Sequence, residues 1–130
     1  MKTENEWRWR NPLPQGNTLR SVAYGDGLFV AVGQFGTVMN SKDGNNWVRA
    51  TTHSISYFTG VCFGSGLFVA VGAEGSIITS TDGKVWEGRN SGTSAWIDAI
   101  TFGDEKFVAV GQSGTILISS DGVNWTSTSV

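Results

Sequence analysis

Three aspartates of this 130-residue chain stand in one repeated string, SKDGNNW at 41–47, STDGKVW at 80–86 and SSDGVNW at 119–125. A carboxylate, a serine hydroxyl and further polar side chains crowded round a glycine are the contents of a ligand loop. They are equally the contents of a turn. Asp-Gly is a strong hairpin signal, because a type I′ turn needs positive φ, which glycine supplies and aspartate tolerates. The carboxylate can accept backbone N–H groups within the turn, and the serine can add a second such bond. A tryptophan opening the outermost strand can lay its ring over the turn while its N–H stays near a partner. Three identical catalytic sites in one small chain would be odd, whereas three identical turns are expected. We therefore read Ser41, Asp43, Gly44 and Trp47, with Ser80, Asp82, Gly83 and Trp86 and with Ser119, Asp121, Gly122 and Trp125, as scaffold.

Other reactive residues are few. His53 and Cys62 are the only histidine and cysteine, too few for a nitrogen–sulfur metal site of normal count. The strings GQFGT, GAEGS and GQSGT have the glycines of phosphate loops, but such a loop works by opening a helix, and here each lies between two strands. A lone loop histidine reads as solvated rather than as part of a Ser-His-Asp set, and Asp104-Glu105 as a turn tip. The expectation is no catalytic residue, no metal and no cofactor.

Formal charge is −2, and the nine Lys and Arg residues are scattered, which disfavours nucleic acid and anionic membrane as partners. The longest apolar run, Leu28 to Val32, is too short to cross a bilayer. The opening MKTENEWRWR has no apolar signal core. The chain as given therefore reads as cytoplasmic, or as extracellular or periplasmic if cut from a longer precursor. Eighteen glycines and six tryptophans point to short strands joined by tight turns.

Those strands come from one unit written three times. Phe29, Phe68 and Phe107 are 39 residues apart, as are Trp47, Trp86 and Trp125, and the frames 19–48, 58–87 and 97–126 align without a gap. Eleven columns are identical, from Gly25 through the FVAVG run and Gly36 to Trp47. Each unit reads as four strands: LRSVAYG, FVAVG, TVMNS, and one starting at the tryptophan. FVAVG is continuously apolar, as a strand buried on both faces should be. Four antiparallel strands in about 40 residues is the spacing of a β-propeller blade. The predicted fold is all-β, with blades over 19–57, 58–96 and 97–130 preceded by an extra outer strand and linker over 1–18. That extra strand rests on WRWRN at 7–11, which matches WEGRN at 86–90.

The box string resembles the Asp-box, or bacterial neuraminidase repeat, of sialidases, and GLFVAVGQFGTVMNSKDGNNW resembles long bacterial repeat proteins built of such blades. The usual box is S-x-D-x-G-x-x-W, whereas here glycine follows aspartate directly. That departure favours the looser family of repeat propellers that includes photosystem II assembly factors, and the resemblance implies a structural box lying away from the binding face. Sialidase chemistry needs three converging arginines and a tyrosine nucleophile. Only Arg20 lies on a predicted innermost strand, and its counterparts are Thr59 and Asp98, so the set is absent.

Function should sit where the repeats differ. Two divergent loop sets are expected at one end, around the channel mouth: the links between units, and the turns Gln34-Phe35, Ala73-Glu74 and Gln112-Ser113. They would gather His53, Tyr57, Trp96, Phe35, Gln34, Gln112 and Glu74, with Arg20 and Asp98 near the centre. Aromatic rings with amides and carboxylates suit a peptide strand or a sugar; alternatively, Tyr57 and Trp96 pack between blades. The predicted function is a non-catalytic scaffold binding protein or ligand, with a glycan-active hydrolase or lyase as the alternative. Three blades cannot close a ring, so a homodimer of six blades is expected, with three copies as a weaker option. An excised or engineered piece of a longer array also fits.

Overall fold

The computed structural model describes residues 17–129. The strand expected at Trp7–Asn11 and the loop with Pro12 and Pro14 lie outside the described residues. Within them, three four-stranded antiparallel sheets follow one another along the chain. The first holds β1 (Leu19–Gly25), β2 (Leu28–Gly33), β3 (Val38–Ser41) and β4 (Val48–Arg49). The second holds β5 (Phe58–Gly64), β6 (Leu67–Gly72), β7 (Ile77–Ser80) and β8 (Glu87–Arg89). The third holds β9 (Ile97–Gly103), β10 (Lys106–Gly111), β11 (Thr115–Ser119) and β12 (Thr126–Ser129). In each sheet the strands pair in chain order.

Type I′ geometry occurs two hairpins earlier than the sequence suggests. Asp26-Gly27, Ser65-Gly66 and Asp104-Glu105 close the first hairpins with positive φ at both central residues, as that turn requires. At the expected site, Asp43-Gly44, only the glycine is left-handed (φ 82°). The reason is chemical: the Ser41 and Asp43 side chains satisfy the turn's N–H groups, so no backbone-bonded two-residue turn forms. The fourth strand also starts one residue later than expected, at Val48, Glu87 and Thr126 rather than at the tryptophans. Each indole N–H points back into the turn instead.

The two faces of a sheet do different jobs. In β2, Leu28, Val30 and Val32 join Val38 of β3 and pack on Phe58, Val61, Phe68, Ala70, Ile78 and Trp86 of the second sheet. One unit on, Val69, Val71 and Ile77 pack on Ile97, Phe107, Ala109 and Leu117 of the third. So each sheet sends its valine face forward and its phenylalanine face back. This is why the FVAVG run is almost wholly buried in the first two sheets. In the third, Val110 is 44% exposed, because no described residue covers that face.

First strands stack most closely, through rings seated on glycines. A Cβ at Gly25 would run into the Phe63 ring, and one at Gly64 into the Phe102 ring. Only glycine leaves room for that approach. Side chains stitch the first seam further: the Val61 N–H donates to Ser21 Oγ (3.2 Å), and Asn40 Nδ2 donates to the Gly83 carbonyl (3.3 Å).

Candidate functional site

In the first box, Ser41 Oγ accepts from the N–H groups of Asp43 (3.3 Å) and Gly44 (2.8 Å) and donates to Asp43 Oδ1 (3.0 Å). That same carboxylate oxygen accepts from the N–H groups of Asn45 (2.8 Å) and Asn46 (2.9 Å), and Oδ2 accepts from Asn46 Nδ2 (2.9 Å). The Trp47 indole N–H closes the turn on the Gly44 carbonyl (3.1 Å). The boxes at 80–86 and 119–125 repeat the serine, carboxylate–backbone and indole bonds. A carboxylate surrounded by N–H donors is committed to its own turn. A cation there would have to face those positive ends.

The same donors hold the carboxyls below their ordinary value of 3.8. The leading cause is the N–H of Asn46 for Asp43, of Lys84 for Asp82 and of Asn124 for Asp121. Unfolding releases the groups to that ordinary value, so near pH 4 the unfolded chain binds more protons than the folded one. Stability is therefore full above about pH 5 and falls as pH drops below about 4. We expect a melting temperature that is level from neutral pH to about 5 and declines below it. The triple variant Asp43→Asn, Asp82→Asn, Asp121→Asn should start lower and decline less. A wild-type melting temperature unchanged down to about pH 2 would refute the role given to these carboxylates.

The divergent loops converge at the opposite end of the second and third strands. The turn after each second strand is a short 3-10 turn at 34–36, 73–75 and 112–114, followed by a strand and not by a helix. These turns bond to the segments entering the first strands: Gln34 N–H to Thr18 O (3.0 Å), Gly36 N–H to Ser56 O (2.7 Å), Ala73 N–H to Tyr57 O (2.9 Å) and Gln112 N–H to Trp96 O (2.9 Å). The middle residue of each turn is left-handed, with φ 54° at Phe35, 56° at Glu74 and 60° at Ser113. A phenylalanine in that region is strained, and strain of this kind gathers where function needs a side chain presented.

Phe35 meets the Tyr57 ring edge-on with centroids 5.1 Å apart, and Tyr57 meets Trp96 at 6.1 Å. One ring from a turn of the first blade and two from the successive links between blades thus form one row. Phe35 is 52% and Trp96 37% exposed, with Tyr57 half-buried between them. The two readings of Tyr57 and Trp96 meet here, since they pack across the seam and still present a surface. Glu74 and Gln112 are exposed at the tips of neighbouring turns, while Gln34 turns inward so that its Oε1 accepts from the Thr18 N–H (3.3 Å).

Arg20 and Asp98 are exposed on β1 and β9. They share their position with Thr59, each lying at an irregularity of register in the first strand. Thr59 Oγ1 crosses to the third sheet and donates to the Ile97 carbonyl (2.6 Å). His53, left-handed at φ 61°, borders a different cleft of about 440 Å³ with Trp86, Glu87 and Arg89. Another cleft, of about 610 Å³, is one that the sequence does not reveal. It lies beside the first box, between Asn40, Asp43, Val48, Arg49 and Lys84-Val85 of the second box. Sheets that touch along their first strands diverge toward their fourth, and this gap is that divergence.

No family model and no curated protein matches the chain. Among solved structures it is similar to YCF48 from Cyanidioschyzon merolae (23% identity, TM-score 0.73, 89% of this chain and 38% of that one). It is similar also to a structure described as YCF48 bound to D1 peptide (23%, 0.74, 88% and 40%) and to the WD40 β-propeller domain of Doa1 (18%, 0.68, 85% and 40%). The sheets are blades of a β-propeller. The chain spans about two fifths of the length of these structures, in keeping with three blades. Arg20, Thr59 and Asp98 thus lie on the first strand of each blade.

Proposed function

We propose that this chain is a non-catalytic, protein-binding propeller scaffold that takes an extended peptide segment across the row Phe35–Tyr57–Trp96. The observation that carries the reading is that row: exposed aromatic area running from a turn of the first blade over both links between blades, with its first ring held in a left-handed turn. Aromatic rings supply large contact area at small entropic cost, and the flanking Gln112 and Glu74 offer hydrogen bonds to a backbone. The similarity to a propeller described as bound to a peptide supports the peptide over the sugar. A converging arginine set would need cations at positions held by Arg20, Thr59 and Asp98, so the reading is non-catalytic. The boxes act as Asp-box-like scaffold, remote from this end.

We further infer that two copies close a six-bladed ring, because Val22, Tyr24, Val110 and Ile118 are exposed on the two outward blade faces. Apolar area of that kind marks an interaction surface. A random peptide display library and a glycan array, screened side by side on the full chain, test the binding reading. The expected result is enriched peptides whose affinity falls at least about tenfold in Tyr57→Ala and Trp96→Ala, which is typical of losing a buried aromatic anchor. Binding that ignores both substitutions overturns the site. Glycan capture together with cleavage of aryl glycosides would establish the glycan-active alternative instead.

A further inference from the structure

Each internal seam is a ring on a glycine: Phe63 on Gly25, then Phe102 on Gly64. The repeat carries the same pair once more, and its halves lie at opposite ends of the chain. Gly103 is the third glycine, and a Cβ there would meet nothing within 4 Å. Tyr24 is the third ring, 59% exposed. It is already held as the seated rings are: its centroid is 4.6 Å from Phe29, against 4.7 Å for Phe63–Phe68 and for Phe102–Phe107. On the Tyr24 face, Ala31 and Met39 are buried, so the open part lies along β1, the strand that makes the close contact in the internal seams.

Two further positions match. Leu28 of blade 1 covers Gly83 of the next box, and Leu67 of blade 2 covers Gly122. Gly44 of the first box has only the Phe29 ring near it, and the residue at the covering position in blade 3 is Lys106. Lysine can lay its stem on such a glycine and keep its ammonium in water. On the first strands, Thr59 bridges forward to blade 3. Asp98 holds the forward-bridging position at the open end, and Arg20 is the cation at the other.

We propose that blade 3 of one copy receives blade 1 of a second, head to tail, with Tyr24 seated on Gly103, Lys106 over Gly44 and Asp98 beside Arg20. Two such seams close the ring, because each chain supplies both halves of a heterologous contact and three blades turn through half of a six-bladed circle. The inference rests on the six-bladed reading above and adds which residues make the joint.

Light scattering on the full chain over a range of concentrations tests it. The expected mass is about 28 kDa, twice the 13.9 kDa chain. Gly103→Val should leave the fold intact, as no described residue crowds that Cβ, and should raise the dimer dissociation constant at least about tenfold. Arg20→Asp and Asp98→Arg should each weaken the dimer likewise by setting like charges together at both seams. An equimolar mixture of these two variants should recover the two-chain mass, since both of its seams again pair opposite charges. A wild type that stays monomeric overturns the joint and the six-bladed reading together. A dimer indifferent to all three variants overturns the joint alone, and a mass that grows without limit overturns closure by two.

Discussion

Truncating Phe68 to alanine is expected to lower stability by about 3–5 kcal/mol, the usual cost of removing a large ring from a core that cannot collapse to fill the space. The ring is 1% exposed in the seam between blades 1 and 2. It lies 4.7 Å from Phe63 and 6.4 Å from Trp86, centroid to centroid. Leu28, Val30 and Val61 share that cluster, so the cavity would open between two blades and not inside one. A domain of this size has a total stability of about 5–15 kcal/mol, and one substitution would consume much of it. Phe35→Ala is the control. That ring is half in water and belongs to the aromatic row, so its loss should move stability by under about 1 kcal/mol while reducing peptide affinity. Urea melts of the two variants check the contrast. Similar losses in both would mean that the seam does not bear the stability assigned to it.

The second large effect is expected at Gly36. Its φ is 70°, in the left-handed region. That alone makes alanine cost about 1–2 kcal/mol, through the clash of Cβ with the following carbonyl. In addition, the new methyl would fall inside the van der Waals envelope of the Ser54 carbonyl, a backbone atom with no rotamer to change. The Gly36 N–H is bonded to Ser56 O at 2.7 Å, and its carbonyl accepts from Thr52 Oγ1 at 3.2 Å, so the turn cannot withdraw without breaking both bonds. We expect a total loss of at least about 3 kcal/mol, in the range of overpacked sites. Peptide binding should fall as well, because Phe35 is the adjacent residue. Gly66→Ala isolates the conformational part, since Gly66 has a φ of 77° with nothing near its Cβ. It should cost only about 1 kcal/mol. If the two alanines prove equally costly in urea melts, the close approach at Gly36 carries no energy.

Much of this architecture was legible in the sequence, for a physical reason. A blade's hydrogen bonds are local, so the 39-residue period, the apolar FVAVG run and the serine–aspartate–glycine–tryptophan box report directly on strands and turns that form within one unit. The box reads as scaffold because its serine hydroxyl, its aspartate carboxylate and its indole N–H each find partners at most three residues away. Where two local solutions compete, sequence is a poorer guide. Asp43-Gly44 carries the type I′ signal, yet the true type I′ turns are Asp26-Gly27, Ser65-Gly66 and Asp104-Glu105, since side-chain bonds had already satisfied the box.

What only the tertiary structure decided is how units sit against one another. Phe35 lies in a turn and Tyr57 and Trp96 in the two links between blades, and nothing in a strand's own pattern says that their rings touch. The angle between stacked sheets decides that, and the same angle turns His53 toward the cleft shared with Trp86 and Arg89. Gly25, Gly64 and Gly103 are indistinguishable in the sequence. In space two of them lie beneath rings, and at the third no described residue comes within 4 Å of a Cβ, because stacking is a property of neighbouring blades and not of the strand itself.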